Sequence, residues 1–232
     1  MSHPAATPAI DPMSDFECRP FSHRSRVRDV HWSGSGPGVI VMAEMPGIGP
    51  RLLRFARGLR EAGFTVVLPS LFGRDGAEVA AEEGVAVFRQ ACVNAEFRAL
   101  GAGRSSPVTA WLRALARHVH AECGGPGVGA IGLCFTGNFA LTMMIEPAVV
   151  APVVAHPSLP LDDPAGLEIS AEELVAVREQ LERDDLSVQA YRFEGDRFCR
   201  AARFDSYQRA LGNRFVAYVL SDSAAGTDVN PF

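Results

Sequence analysis

Val128-Gly129-Ala130-Ile131-Gly132-Leu133-Cys134-Phe135-Thr136-Gly137 is the stretch whose reading decides the fold. Its first half is a short apolar run that follows Gly124-Gly125-Pro126-Gly127. A run of that length bounded by turn residues reads as a strand buried on both faces. Its second half sets a cysteine between closely spaced glycines. That spacing fits a sharp strand-to-helix turn, in which small residues let the backbone pack closely and the nucleophile is held above the sheet. Asn138 to Ile145 reads as the helix that follows.

Outward from this stretch, the chain repeats the same alternation. Val39-Ile40-Val41-Met42-Ala43 is a buried strand, and Glu44 to Pro50 a loop. Leu52, Leu53, Phe55, Ala56 and Leu59 recur at helical spacing, with Gly63 where a C-cap glycine belongs. Phe64 to Leu68 is the next strand, so residues 39–68 form a βαβ unit of a parallel sheet. Residues 24–32 alternate as an edge strand would. Val108, Trp111, Leu112, Leu115 and Val119 mark a helix over 107–120 opened by Pro107. Strands are expected at 149–155, 187–193 and 215–220. Helices are expected from the Ser170–Glu173 capping box and around 200–211. Residues 70–105 read as a loop and then an irregular helical stretch. Residues 1–20, rich in Pro, Ala and Ser, read as a flexible leader, and 21–232 as a single domain.

Composition narrows the function. The chain has 232 residues, 47% hydrophobic and 21% charged, with a net charge of −5. No basic field invites nucleic acid. Every basic side chain except histidine is Arg, which excludes Schiff-base and lysine-base chemistry. Five cysteines and no C-x-x-C pair suggest neither a disulfide framework nor a metal site. No apolar run reaches the ~20 residues that span a bilayer. No secretory signal pattern opens the chain. The expectation is a cytoplasmic monomer or homodimer without cofactor, metal, nucleic-acid or membrane partner, acting on a small molecule.

In open parallel sheets, ligands sit beyond the carboxyl ends of the strands. The expected strand ends place Glu44, Cys134, His156 and Asp196 there. The positive end of a helix starting after Cys134 is expected to lower the thiol pKa. The amide of Phe135, and a second from Met45 in the loop after the first buried strand, are the expected oxyanion donors.

Gly132-Leu133-Cys134-Phe135-Thr136-Gly137 resembles the nucleophile elbow of the dienelactone hydrolase family, an α/β-hydrolase family. Ala43-Glu44-Met45-Pro46-Gly47 resembles that family's glutamate-bearing loop. Pro69-Ser70-Leu71-Phe72 resembles its Pro-x-Leu-aromatic turn, and Gly195-Asp196-Arg197-Phe198 its Gly-x-Asp turn. The likeness spans roughly residues 36–222. It implies an α/β-hydrolase-like three-layer fold with a mainly parallel central sheet. It implies a Cys–His–Asp triad that opens small esters or enol-lactones through an acyl-enzyme. Cys134 would be the nucleophile, Glu44 the partner of its resting thiol, and Asp196 the residue that orients the histidine.

The chain departs from the family in two places. Thr136 stands where the family commonly has glycine. Ser221 to Asn230, where the family's histidine belongs, holds none. Three explanations stay open. The histidine and the last helix lie beyond Phe232, or His156 serves as base, or the base is lost and the protein is a binding or regulatory scaffold. The first is the working expectation, because an aspartate at a Gly-x-Asp turn would otherwise have nothing to orient. His23, His31, His118 and His120 read as surface or structural. Arg89, Arg98 and Arg104 are the candidates for a substrate carboxylate. Redox sensing through Cys134, with Cys199 as partner, is a further alternative.

Overall fold

Short apolar runs flanked by glycine and proline become the inner strands of one sheet. The computed structural model describes residues 12–93 and 106–225. Strands β1 (Glu17–His23), β2 (Arg26–Ser33), β3 (Gly38–Met42), β4 (Thr65–Pro69), β5 (Val128–Leu133), β6 (Val149–Ala155), β7 (Val188–Phe193) and β8 (Phe215–Leu220) pair in the order β1-β2-β4-β3-β5-β6-β7-β8. β1/β2 and β2/β4 are antiparallel and the remaining pairs are parallel. β3 and β4 bury all of their residues, as strands covered on both faces must.

Among the described residues, six α-helices lie between the strands: α1 (Pro50–Glu61), α2 (Ala81–Val93), α3 (Pro107–Cys123), α4 (Gly137–Met143), α5 (Ala171–Arg183) and α6 (Ala201–Leu211). α1 presents Leu52, Leu53 and Ala56 to one face of the sheet, against Val39, Val41, Val66 and Leu68. The other face carries the larger core. There Trp111, Leu112 and Leu115 of α3 pack with Phe139 of α4, Val177 of α5 and Phe204 of α6. This is the expected three-layer arrangement. Ser170 Oγ accepts from the Glu173 amide at the start of α5, as the capping box requires. No described helix is long and apolar enough to cross a membrane.

Several sequence expectations differ from the structure. The leader expected over 1–20 does not extend that far. Met13 and Phe16 are buried, and β1 begins at Glu17. Asp15 explains the attachment: its carboxylate accepts from Arg57 at 2.7 and 2.8 Å and from Arg60 at 2.7 Å, both on α1. Consequently β2, not the edge its alternation suggested, is an inner strand, and β1 takes the edge. Part of the stretch read as irregular is the regular helix α2. Phe97, Arg98 and Arg104 lie outside the described residues.

Candidate active site

The register of the parallel strands sets three of the four expected side chains level. Met42 of β3 pairs with Gly132 of β5, and Leu133 of β5 with Ala155 of β6. Glu44 and Cys134 each lie two residues past the first pair. Cys134 and His156 each lie one past the second. β5 runs between β3 and β6, so Glu44 and His156 flank Cys134. Their side chains approach across the end of β5, with His156 Nε2 4.0 Å from Glu44 Oε2.

The backbone at this point is bent as the glycine spacing predicts. Cys134 adopts φ +53°, a left-handed conformation that non-glycine residues rarely hold and that clusters at functional sites. A side chain at Gly132 would collide with the Thr136 carbonyl oxygen at 2.3 Å, and one at Gly137 with Pro157 Cα at 2.8 Å. Only glycine fits at either place. Thr136, the departure from the family pattern, is fully buried, and its hydroxyl is a junction. It accepts from the Leu133 amide at 2.9 Å and lies within hydrogen-bond reach of the Met42, Ala43 and Leu133 carbonyls. The side chain thereby fastens the turn to the end of β3.

The turn continues as one 3-10 turn, Cys134–Thr136, and then the seven-residue α4. The expected lowering of the thiol pKa does not result. Burial pushes the Cys134 thiol up to about 11, and the negative charge of Glu44 adds to that shift. The Ser158 hydroxyl and the Phe135 backbone amide act the other way. Burial removes water that would solvate the thiolate, and it outweighs both donors. Burial also raises the Glu44 pKa, while the charges of His156 and Arg51 pull it down. His156 itself has φ +37°, and its amide donates to the Tyr191 carbonyl at 2.6 Å, which fixes it against β7.

Asp196 follows β7 at the same end of the sheet. One of its carboxylate oxygens accepts from the Phe198 and Cys199 amides, each at 2.8 Å, so the carboxylate shapes its own turn. Its charge still reaches the Cys134 thiol. Phe135 is buried edge-on to Phe72 and Phe139, and Met45 is buried in the larger core. Arg89 is exposed on α2. Cys199 is fully buried, with its thiol pushed up to about 12 by burial and by the neighbouring Asp196. A recess of ≈ 510 Å³ lined by Arg19, Trp32, Gly36, Thr65 and Glu122 lies at the opposite, amino end of the strands.

Sequence reasoning missed the residues that hold this end together. Arg203 of α6 is fully buried and donates to five backbone carbonyls, of Pro157, Pro160, Asp163, Gly166 and Phe198. An arginine in a helical pattern reads as surface, and no local signal marks this one. Ser158, buried beside the thiol, likewise carries no motif. Arg192 on β7 is nine-tenths buried, with its guanidinium over the Phe204 ring and its Nε unpartnered.

Comparisons with known proteins match the family and the fold. The sequence profile of the dienelactone hydrolase family matches residues 26–195. A protein described as a dienelactone hydrolase from Klebsiella pneumoniae subsp. pneumoniae superposes with a TM-score of 0.62 at 15% identity, covering 89% of this chain and 85% of that one. A dienelactone hydrolase-like promiscuous phosphotriesterase from metagenomic libraries gives 0.57 at 17% identity, covering 90% and 83%. An α/β serine hydrolase without a lid from Xanthomonas campestris gives 0.54 at 14%, covering 90% and 85%. These structures share the fold. The comparison with curated proteins gives no match. The family profile spans most of the strands and the whole elbow, and the chain therefore belongs to the dienelactone hydrolase family of carboxylic-ester hydrolases.

Proposed function

We propose that the protein hydrolyses small carboxylic esters or lactones through the Cys134 thiol. The observation that carries this reading is the approach of His156 and Glu44, at 4.0 Å, across the end of the strand that bears Cys134 at φ +53°. Among the described residues, His156 is the histidine that stands level with the thiol on the neighbouring strand.

The thiol is protonated at neutral pH, so a base must take its proton as the bond forms. His156 accepts that proton, and Glu44 holds the resulting imidazolium. The sulfur adds to the ester carbonyl carbon. The oxyanion falls to the backbone amides of Phe135 and Met45. Collapse breaks the carbon–oxygen bond, His156 returns the proton to the departing alkoxide, and a thioester remains. Water, deprotonated by the same imidazole, releases the acid and restores the thiol. In this scheme Glu44 takes the orienting role, and Asp196 holds the turn that walls the site.

The test is to trap the thioester. Purified protein is mixed with p-nitrophenyl acetate, quenched in acid and mapped by peptide mass spectrometry. An acetyl group on the Cys134 peptide is expected, with release of p-nitrophenol abolished by Cys134→Ala. Turnover that survives Cys134→Ala overturns the reading. His156→Gln is expected to lower the release rate by ~10²–10⁴-fold, the usual worth of a general base.

A further inference from the structure

We infer that Ser158 is the side-chain hydrogen-bond donor to the Cys134 sulfur, placed to meet the negative charge that appears on it during both halves of the reaction. This rests on the reading of Cys134 as the nucleophile. Three consecutive residues around it are held by separate partners. The Pro157 carbonyl accepts from Arg203 at 2.9 Å, the Ser158 amide donates to the Cys134 carbonyl at 3.0 Å, and the Leu159 carbonyl accepts from Asn138 Nδ2 at 3.1 Å. Arg203 and Asn138 are themselves buried, and Tyr207 donates to the Asn138 side-chain oxygen. Ser158 therefore cannot swing away from the elbow without breaking contacts on both sides.

Its side chain contrasts with that backbone. The hydroxyl is buried, and its oxygen has no hydrogen-bond partner of ordinary geometry. A buried hydroxyl left in this state costs free energy, and such groups call for an explanation. The neighbour that supplies one is the Cys134 thiol, on which Ser158 is the strongest influence favouring the thiolate. A thiol sulfur is a weak acceptor, whereas hydrogen bonds to an ionised partner are roughly twice as strong as neutral ones. The Ser158 donor is thus underused in the resting state and satisfied when the sulfur carries charge. An interaction stronger at the charged stage than at rest accelerates the step. The sulfur is charged twice, when the thiol loses its proton to attack and when the thioester breaks and thiolate leaves. One donor serves both.

The test reads the thiol itself, apart from hydrolysis. Cys134 is alkylated with iodoacetamide between pH 6.5 and 9.5 in the full chain, and the modified Cys134 peptide is quantified by mass spectrometry, separately from exposed Cys18. Ser158→Ala is expected to slow alkylation at pH 7.5 by ~10-fold and to move the rate profile up by about one pH unit, which is the same effect read two ways. Ser158→Thr, which keeps the hydroxyl, is expected to restore most of the rate. An unchanged profile in Ser158→Ala overturns the inference, as does a Thr variant no faster than Ala. The reading of Cys134 fails separately, through ester turnover in Cys134→Ala. In that case a shifted alkylation profile still upholds the contact between Ser158 and the sulfur, but its part in the reaction falls.

Discussion

The Thr136 carbonyl oxygen occupies the place where a side chain on Gly132 would begin, 2.3 Å from its Cβ position. The contact is with backbone, so nothing flexible can give way. Gly132→Ala is expected to destabilise the protein by about 3 kcal/mol or more, within the range of severe single substitutions. Urea unfolding followed by circular dichroism measures it. A loss under about 1 kcal/mol would mean that the elbow can open at little cost.

Cys134 carries its side chain at φ +53°, where an L-residue is strained. Cys134→Gly relieves that strain, and part of the gain is lost to the greater freedom of glycine in the unfolded chain. The glycine variant is expected to be about 0.5–1 kcal/mol more stable than Cys134→Ala, with both inactive. Paired thermal and urea melts decide it.

Thr136 keeps its hydroxyl among backbone groups of β3 and β5 with no exposure to water. Thr136→Val preserves the shape and removes the hydroxyl, leaving the Leu133 amide and the Met42 carbonyl short of a partner. The expected cost is about 2 kcal/mol, the penalty of buried unsatisfied groups. Ester turnover should fall with it, since the same bonds join the elbow to the glutamate loop.

Cys134 and Cys199 have thiols raised from 9.0 to about 11 and about 12. Both are neutral when protonated, so the folded state holds these protons more tightly than the unfolded state. Their contribution to stability is complete below pH 9 and is lost as pH climbs through 11 and 12. The urea midpoint is expected to fall over that interval, and to fall less in Cys134→Ala/Cys199→Ala. At the active site the same shift makes alkylation of Cys134 rise by ~10-fold per pH unit from 7 to 9, because the thiolate is the nucleophile.

Periodicity carried most of the fold. The buried runs at 39–43, 64–68 and 128–133 could only be inner strands, and the elbow stood out because its glycines are demanded by close contacts. The edge is hard to read because β1 has weak alternation, with Pro20 inside it, and the segment leading into it is anchored by Asp15 meeting two arginines of α1, 42 and 45 residues away. Glu44, Cys134, His156 and Asp196 were legible as strand-end residues, since sheet topology alone brings strand ends together. The thiol pKa was not legible. It is set by how deeply the sulfur lies and by which hydroxyl faces it, and both depend on the loop over 157–166. That loop is held by Arg203, and one arginine on an amphipathic helix looks like any other.

The polar lock at Thr136 has a consequence for how the protein could diversify. The bend that bears Cys134 is bonded into two sheet strands, whereas the segments between β3 and α1 and between β4 and α2 are loops that rim the same end. Loops tolerate insertion and exchange far better than the strands they join. Variants with new rims can therefore be selected for altered ester size or polarity without rebuilding the bend, and libraries confined to the exposed positions Arg74, Glu78 and Ala80 should keep the reacting thiol in register while its clientele changes.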